Sequence, residues 1–174
     1  MTLPKRWTSR VLLMDGDDRL LLLCGRDPRR PGARWWFTVG GAVEKDEDYL
    51  QAAVREVREE TTLCLPVERL SPVVWTRRAV FSVDGRTFDQ YEEHRLARVT
   101  TDEVHEMNVT TEEARYGHHW WSTAEPATTA EIVRPNEDGF PPARRAGDCR
   151  PWPSPCLSGQ RQRRNRSGIT HPVR

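Results

Sequence analysis

The chain's 174 residues suffice for one domain of ordinary size, able to bury a core without disulfide staples. Net charge is +1, but residues 135–174 hold eight arginines against three acidic groups, net +5, leaving −4 on residues 1–134. Cys24, Cys64, Cys149 and Cys156 form no Cys-x-x-Cys pair and have no histidines at zinc spacing, the start lacks an apolar leader, and no run nears a membrane span, so a disulfide scaffold, a structural zinc site and a membrane partner are disfavoured and a cytoplasmic chain with reduced thiols is expected.

Residues 7–14, the turn Asp15-Gly16-Asp17-Asp18 and the apolar run Leu20–Cys24 read as a first hairpin. Pro28–Gly32 is a breaker-rich loop, and Trp35–Val39 is a short strand running into a Gly40-Gly41 loop. Asp48, with Gln51 three residues on, forms a capping box, and Leu50, Ala53, Val54 and Val57 make the i, i+3, i+4, i+7 stripe of an amphipathic helix. Pro66 and Pro72 flank a loop. Val73–Val83 and Thr87–Val99 read as long strands around Asp84-Gly85, a second hairpin. Trp120-Trp121 reads as a last short strand, after which Ser122 and Glu125 open a helix carrying Ala127, Ala130, Ile132 and Val133, with Pro126 in its first turns.

Strands on both sides of one strong helix predict an α+β domain with a mixed sheet over residues 1–134. From Pro135 the composition shifts: seven prolines, eight arginines and few large aliphatics make a basic Pro/Arg-rich tail, 135–174, expected to be disordered. Arg161, Arg163, Arg164 and Arg166 cluster there, but without interleaved aromatics a nucleic-acid partner is disfavoured.

Glu56, Glu59 and Glu60 project from about a third of the helix circumference. Like charges at that spacing repel, so one reading is a solvated face relieved by Arg55 and Arg58; the other is a carboxylate set for a hard cation, Mg²⁺ or Mn²⁺, that also binds phosphate oxygens. The flanking text decides between them. From Gly41 the chain shows five residues, Glu47, seven residues, Arg55-Glu56-Val57, one residue, Glu59-Glu60, one residue, Thr62 and Leu63. This resembles the Nudix box, and six specified residues match by chance in on the order of one chain in 10⁵.

The resemblance implies an α/β/α sandwich around a mixed sheet and Mg²⁺-assisted hydrolysis, with Mn²⁺ as substitute, of a pyrophosphate linkage in a nucleoside di- or triphosphate derivative. Carried over by position, Glu56, Glu59 and Glu60 would ligate metal, with Glu56 or Glu59 helping to deprotonate water. Glu47 and Arg55 would support the catalytic helix, and Gly40 and Gly41 would let the backbone approach the site closely. The box's glycine is replaced by Thr62, which is expected to end the helix differently from a left-handed glycine.

A further carboxylate is sought at Glu112 or Glu113 in preference to Glu103 and Glu106, with the alternative that both begin or cap a short surface helix after Thr110 or Thr111. His118 and His119 lie adjacent on a strand, point opposite ways and are read as surface residues. Trp35, Trp36, Trp120 and Trp121 are read as core for at least half of their rings, with base stacking as the rival role. The expected partner is a small nucleotide substrate, with a homodimer consistent with the family; the competing function is a catalytically weak Nudix-like domain for nucleotide sensing or protein interaction.

Overall fold

The structure, a computed structural model, describes residues 2–27, 32–83, 85–122 and 124–134. The expected tail, most of the Pro28–Gly32 loop and the turn residue Asp84 lie outside the described residues.

Strand β1 (Lys5–Met14) is the spine. It runs parallel to β6 (Arg86–Arg98) through a register from Lys5↔Asp89 to Met14↔Arg98, and antiparallel to the short β4 (Val39–Ala42). Strand β5 (Trp75–Val83) closes the far edge against β6, as the second hairpin predicts. The first hairpin holds only at its base: β1 and β2 (Leu20–Arg26) pair at Met14↔Leu20. Beyond that pair β2 takes other partners, β3 (Arg34–Phe37) and β7 (His118–Trp121), both antiparallel. The sheet is mixed, as expected, but it branches at the start of β2.

Helix α1 (Tyr49–Thr61) starts where the capping box placed it, with the Asp48 carboxylate accepting from the N–H groups of Leu50 and Gln51. Its apolar stripe meets Val11, Leu13, Leu21, Leu23, Phe37 and Val39 in one core. The opposite face of the sheet has a smaller core of Leu12, Met14, Leu20, Leu22, Trp121 and Val133. Residues alternating along β1 supply both cores, as the two-residue period of a strand requires. The mixed sheet with α1 on one face and the segment leading to Arg134 on the other forms the expected α+β sandwich.

Three local expectations change. Gly40 and Gly41 belong to strand β4, paired with Arg10 and Ser9, because β1 offers that edge a ladder that a local reading cannot see. The last helix, α3 (Glu125–Thr128), stops before Ala130. Its continuation is drawn to the sheet instead: Trp36 N–H donates to the Ile132 carbonyl at 2.7 Å, Arg134 N–H donates to the Trp36 carbonyl at 2.7 Å, and Val133 is fully buried. A short helix not anticipated, α2 (Thr101–Glu106), follows β6, and its signal was present as a Thr100/Glu103 capping box. No helix among the described residues is long and apolar enough to cross a membrane.

Asp48→Ala removes the acceptor for two helix N–H groups and should cost about 1 kcal/mol. Thermal unfolding should register this as a drop of roughly 2–4 °C for a chain of this size; an unchanged midpoint would show that packing alone sets where α1 begins.

Candidate functional site

The C-terminal turns of α1 lie over β4, and the contact is made by backbone on one side and carboxylates on the other. Gly41 has no side chain to hold off Glu56: a Cβ there would stand 2.3 Å from Glu56 Oε1. Gly40 is bound more tightly still, with φ of +127° and a Cβ position only 2.2 Å from the Ser9 carbonyl oxygen. Its N–H donates to Glu60 Oε2 at 2.7 Å. Glu60 is 3% exposed, and burial pushes its carboxyl up to about 8 despite that hydrogen bond and the nearby Arg10. Its second oxygen, Oε1, is buried without a hydrogen-bond partner.

Arg55 organises the remaining carboxylates. Its guanidinium reaches Glu47 at 2.7 Å, Glu56 at 2.9 Å and Glu59 at 3.0 Å, and it donates to the Ala42 carbonyl at 2.9 Å. The Arg55 hydrogen bond holds Glu47 below the ordinary carboxylate range, while Glu47 and Glu56 raise Arg55. Burial raises Glu56, opposed by Arg55. Glu59 is the outermost of the box glutamates, its side chain 58% exposed.

Glu112 and Glu113 sit in a 3-10 turn, with Thr111 Oγ1 accepting from the Glu113 N–H, which is the capping arrangement weighed against a site role. Of the two, Glu113 makes a small contribution to the upward shifts of both Glu56 and Glu60, so it lies within electrostatic reach of them. Glu103 is engaged elsewhere, paired with Arg69 and the α2 cap. Thr62 corrects the expectation about the helix end: it adopts the left-handed conformation itself, φ 63°, donating to the Arg58 carbonyl while its hydroxyl accepts from the Asn108 N–H. His118 and His119 pair with Leu23 and Leu22 and therefore face opposite sides. All four tryptophans pack against one core or the other, Trp35 and Trp120 on the α1 side and Trp36 and Trp121 on the far side, which leaves the stacking role unsupported.

Among the described residues no three acidic, histidine or cysteine side chains converge on one point as a cation cage. Glu56 and Glu59 turn to Arg55, and Glu60 to Gly40. The donor set nevertheless fits a hard divalent cation: the oxygens are carboxylate, Glu60 Oε1 is buried without a partner, and Gly41, lacking a Cβ, lets the Glu56 carboxylate come up against the β4 backbone.

A NUDIX domain model matches residues 4–140, and the chain belongs to the Nudix family. A dihydroneopterin triphosphate diphosphatase of Escherichia coli K12 is 33% identical over 89 residues, 50% of this chain and 57% of that one; the chain thus spans little more than half the length of this curated relative. An uncharacterized Nudix hydrolase of Bacillus subtilis, YvcI, is 39% identical over 61 residues, 35% of this chain and 34% of that one. Among solved structures, a MutT protein from Methanosarcina mazei Go1 superposes with a TM-score of 0.59 at 19% identity, covering 76% of this chain and 87% of the other. The E. coli dihydroneopterin triphosphate pyrophosphohydrolase gives a TM-score of 0.52 at 26% identity, covering 75% and 90%.

The polar face of β6 was missed at the sequence level. Gln90, Glu92 and His94 are 2%, 4% and 1% exposed on the side of the sheet away from α1. Nearly every residue from Asp89 to Arg95 is polar, so no alternation marked which face of the strand would be buried.

One pair of substitutions separates geometry from fold, and a third tests the protonation of Glu60. At Gly40 an added Cβ meets backbone at a positive φ, so Gly40→Ala should prevent folding, whereas Gly41→Ala meets the flexible end of Glu56 and should fold yet displace that carboxylate. Circular dichroism and activity together would show this, and equal folding of both variants would contradict it. Glu60 binds its proton more tightly folded than unfolded, so its contribution to stability falls as pH rises from about 4.5 to about 8. In EDTA, Glu60→Gln should gain melting temperature over wild type progressively between pH 5 and pH 8; a gap that does not widen would show that Glu60 is not held neutral.

Proposed function

We propose that this chain is a metal-dependent Nudix hydrolase that cleaves a pyrophosphate linkage in a nucleoside di- or triphosphate derivative. The observation that carries the reading is the approach of Glu56 and Glu60 to the Gly40–Gly41 backbone, with Glu60 Oε1 left unpartnered. Glu56, Glu59 and Glu60 would hold the cation, Mg²⁺ or in its place Mn²⁺, with Glu113 as the added carboxylate on the facing turn, favoured over Glu112. A cation bound there neutralises phosphate oxygens and lowers the pKa of water.

The chain's own groups supply the rest. Arg55 keeps Glu56 and Glu59 on one side of α1 and is itself fixed by Glu47. Glu56 or Glu59 accepts the proton of the attacking water at a carboxylate oxygen; the new P–O bond forms as the bridging P–O bond breaks, giving two phosphate-bearing products. The named relative extends the substrate list to pterin triphosphates. Cytoplasmic location belongs to this reading and is supported by the free thiols of Cys24 and Cys64. So do the homodimer and the assignment of 135–174 as a basic extension beyond the domain, although the family match runs to residue 140.

The test is product release from a panel of nucleoside and pterin phosphoanhydrides with and without Mg²⁺. Glu59→Gln should lower kcat about 10²–10⁴-fold with little change in KM, while Arg58→Ala, on the same helix, should leave kcat near wild type. Equal losses in the two variants would remove Glu59 from the chemistry. Ligand binding with no metal-dependent turnover would favour the nucleotide-sensing alternative.

A further inference from the structure

Helix α1 ends in a conformation that suits glycine but is occupied by a threonine. Thr62 has φ of 63° and ψ of −1°, and its N–H donates to the Arg58 carbonyl at 2.9 Å, which closes the helix. A glycine would make that bond with no steric penalty, whereas a β-branched side chain strains the backbone there. The side chain that brings the strain also makes a bond. Thr62 Oγ1 accepts from the Asn108 N–H at 3.0 Å, and the same N–H donates to the Thr61 carbonyl at 3.1 Å. One amide, 46 residues further along the chain, is thus shared by the last residue of the helix and its cap.

Asn108 opens the segment that carries Glu113. Met107 and Val109, on either side of it, pack against the core that α1 covers. Further on, Glu113 lies against a different support, strand β2: a Cβ at Gly25 would stand 2.2 Å from the Glu113 carbonyl oxygen. Beyond that contact the Tyr116 N–H donates to the Cys24 carbonyl at 3.0 Å, and the Cys24 N–H donates to the Gly117 carbonyl at 2.8 Å. Residues 108–117 therefore bridge the end of α1 to β2, with Thr61 and Thr62 at one end and Cys24 and Gly25 at the other. Glu113 sits on this bridge within electrostatic reach of Glu56 and Glu60. Gly25 sets how closely the bridge approaches β2, and Thr62 helps to hold it to the helix that bears the other glutamates.

We infer that Thr62 is a positioning residue for Glu113: its hydroxyl fastens the bridge to the end of α1, so that the Glu113 carboxylate can join those of Glu56, Glu59 and Glu60 around a divalent cation. The inference rests on the hydrolase reading for that set of carboxylates. A side chain at the cap without an acceptor would leave the Asn108 N–H held by one bond instead of two. The Nudix box carries Gly where this chain has Thr62; the departure supplies a tie that glycine does not make.

Mn²⁺ binding to the full chain, read from the electron paramagnetic resonance signal of the free ion, needs neither substrate nor turnover. Glu113→Gln should weaken binding about tenfold, since affinity follows the charge of the ligand set. Thr62→Val keeps the shape and the left-handed strain and removes the acceptor; it should weaken binding roughly three- to tenfold, and Thr62→Ser should restore it. The decisive reading is the double variant. With Glu113→Gln already present, Thr62→Val should cost no further affinity, because the group it positions is gone. Asp48→Ala, at the other end of α1, is the control: it lowers the melting temperature without touching the bridge and should leave affinity unchanged. Thr62→Ala stands in if Thr62→Val fails to fold. Wild-type affinity in Thr62→Val or in Glu113→Gln, an equal loss from Thr62→Val in both backgrounds, no recovery in Thr62→Ser, or a matching loss in Asp48→Ala would overturn the inference. Metal-dependent turnover alongside any of those results sinks the positioning role alone. The expected pattern of Mn²⁺ affinities without turnover sinks the hydrolase alone, and no Mn²⁺ binding by the wild type sinks both.

Discussion

A carboxylate buried against a backbone N–H is the constraint around which this domain is arranged. Glu60 can lie 3% exposed only because Gly40 brings its amide to Oε2, and Gly40 can do so only because strand β4 is pressed against β1 with no side chain between. The helix, the glycine strand and the spine of the sheet are thereby tied at one point. Moving any of them by the width of a methyl group separates the others.

Arg55 solves the complementary problem on the outer side of α1. Three glutamates around one arginine would be a modest surface cluster if all were exposed, since solvent screens such pairs. Here Glu47 and Glu56 are each only 14% exposed at their side chains, so the guanidinium is a real counter-charge that also holds the Ala42 carbonyl. The helix is fastened to β4 from two directions: by Glu60 at its buried edge and by Arg55 at its open one.

How much of this was written locally follows from which forces act locally. The capping box at Asp48, the apolar stripe through Val57 and the box of charged residues depend on neighbours within a turn or two, and each was legible. Gly40-Gly41 read as a loop because glycine weakens a strand; only the distant Ser9 and Arg10 make them one. The last helix was overextended because Ala130 through Val133 keep helical spacing, while Trp36 offers that stretch two backbone hydrogen bonds. Thr62 was expected to avoid a left-handed turn on steric grounds, yet the Asn108 N–H reaches its hydroxyl and offsets part of that strain. The proposed roles of Glu56, Glu59 and Glu60 came from the resemblance of the box.

The long parallel ladder between β1 and β6 also dictates a history. Lys5 and Asp89 are 84 residues apart, and β1 has only the single Met14↔Leu20 pair with its immediate successor. Strand β1 must therefore wait for the much later β6 to complete its hydrogen bonds, and closing so large a loop is slow. Until then Val11, Leu12 and Leu13 stand on an unpaired edge, the kind of segment that seeks any neighbouring strand. Lys5, Arg6 and Arg10 in β1 put like charge on that waiting edge and discourage two nascent copies from pairing.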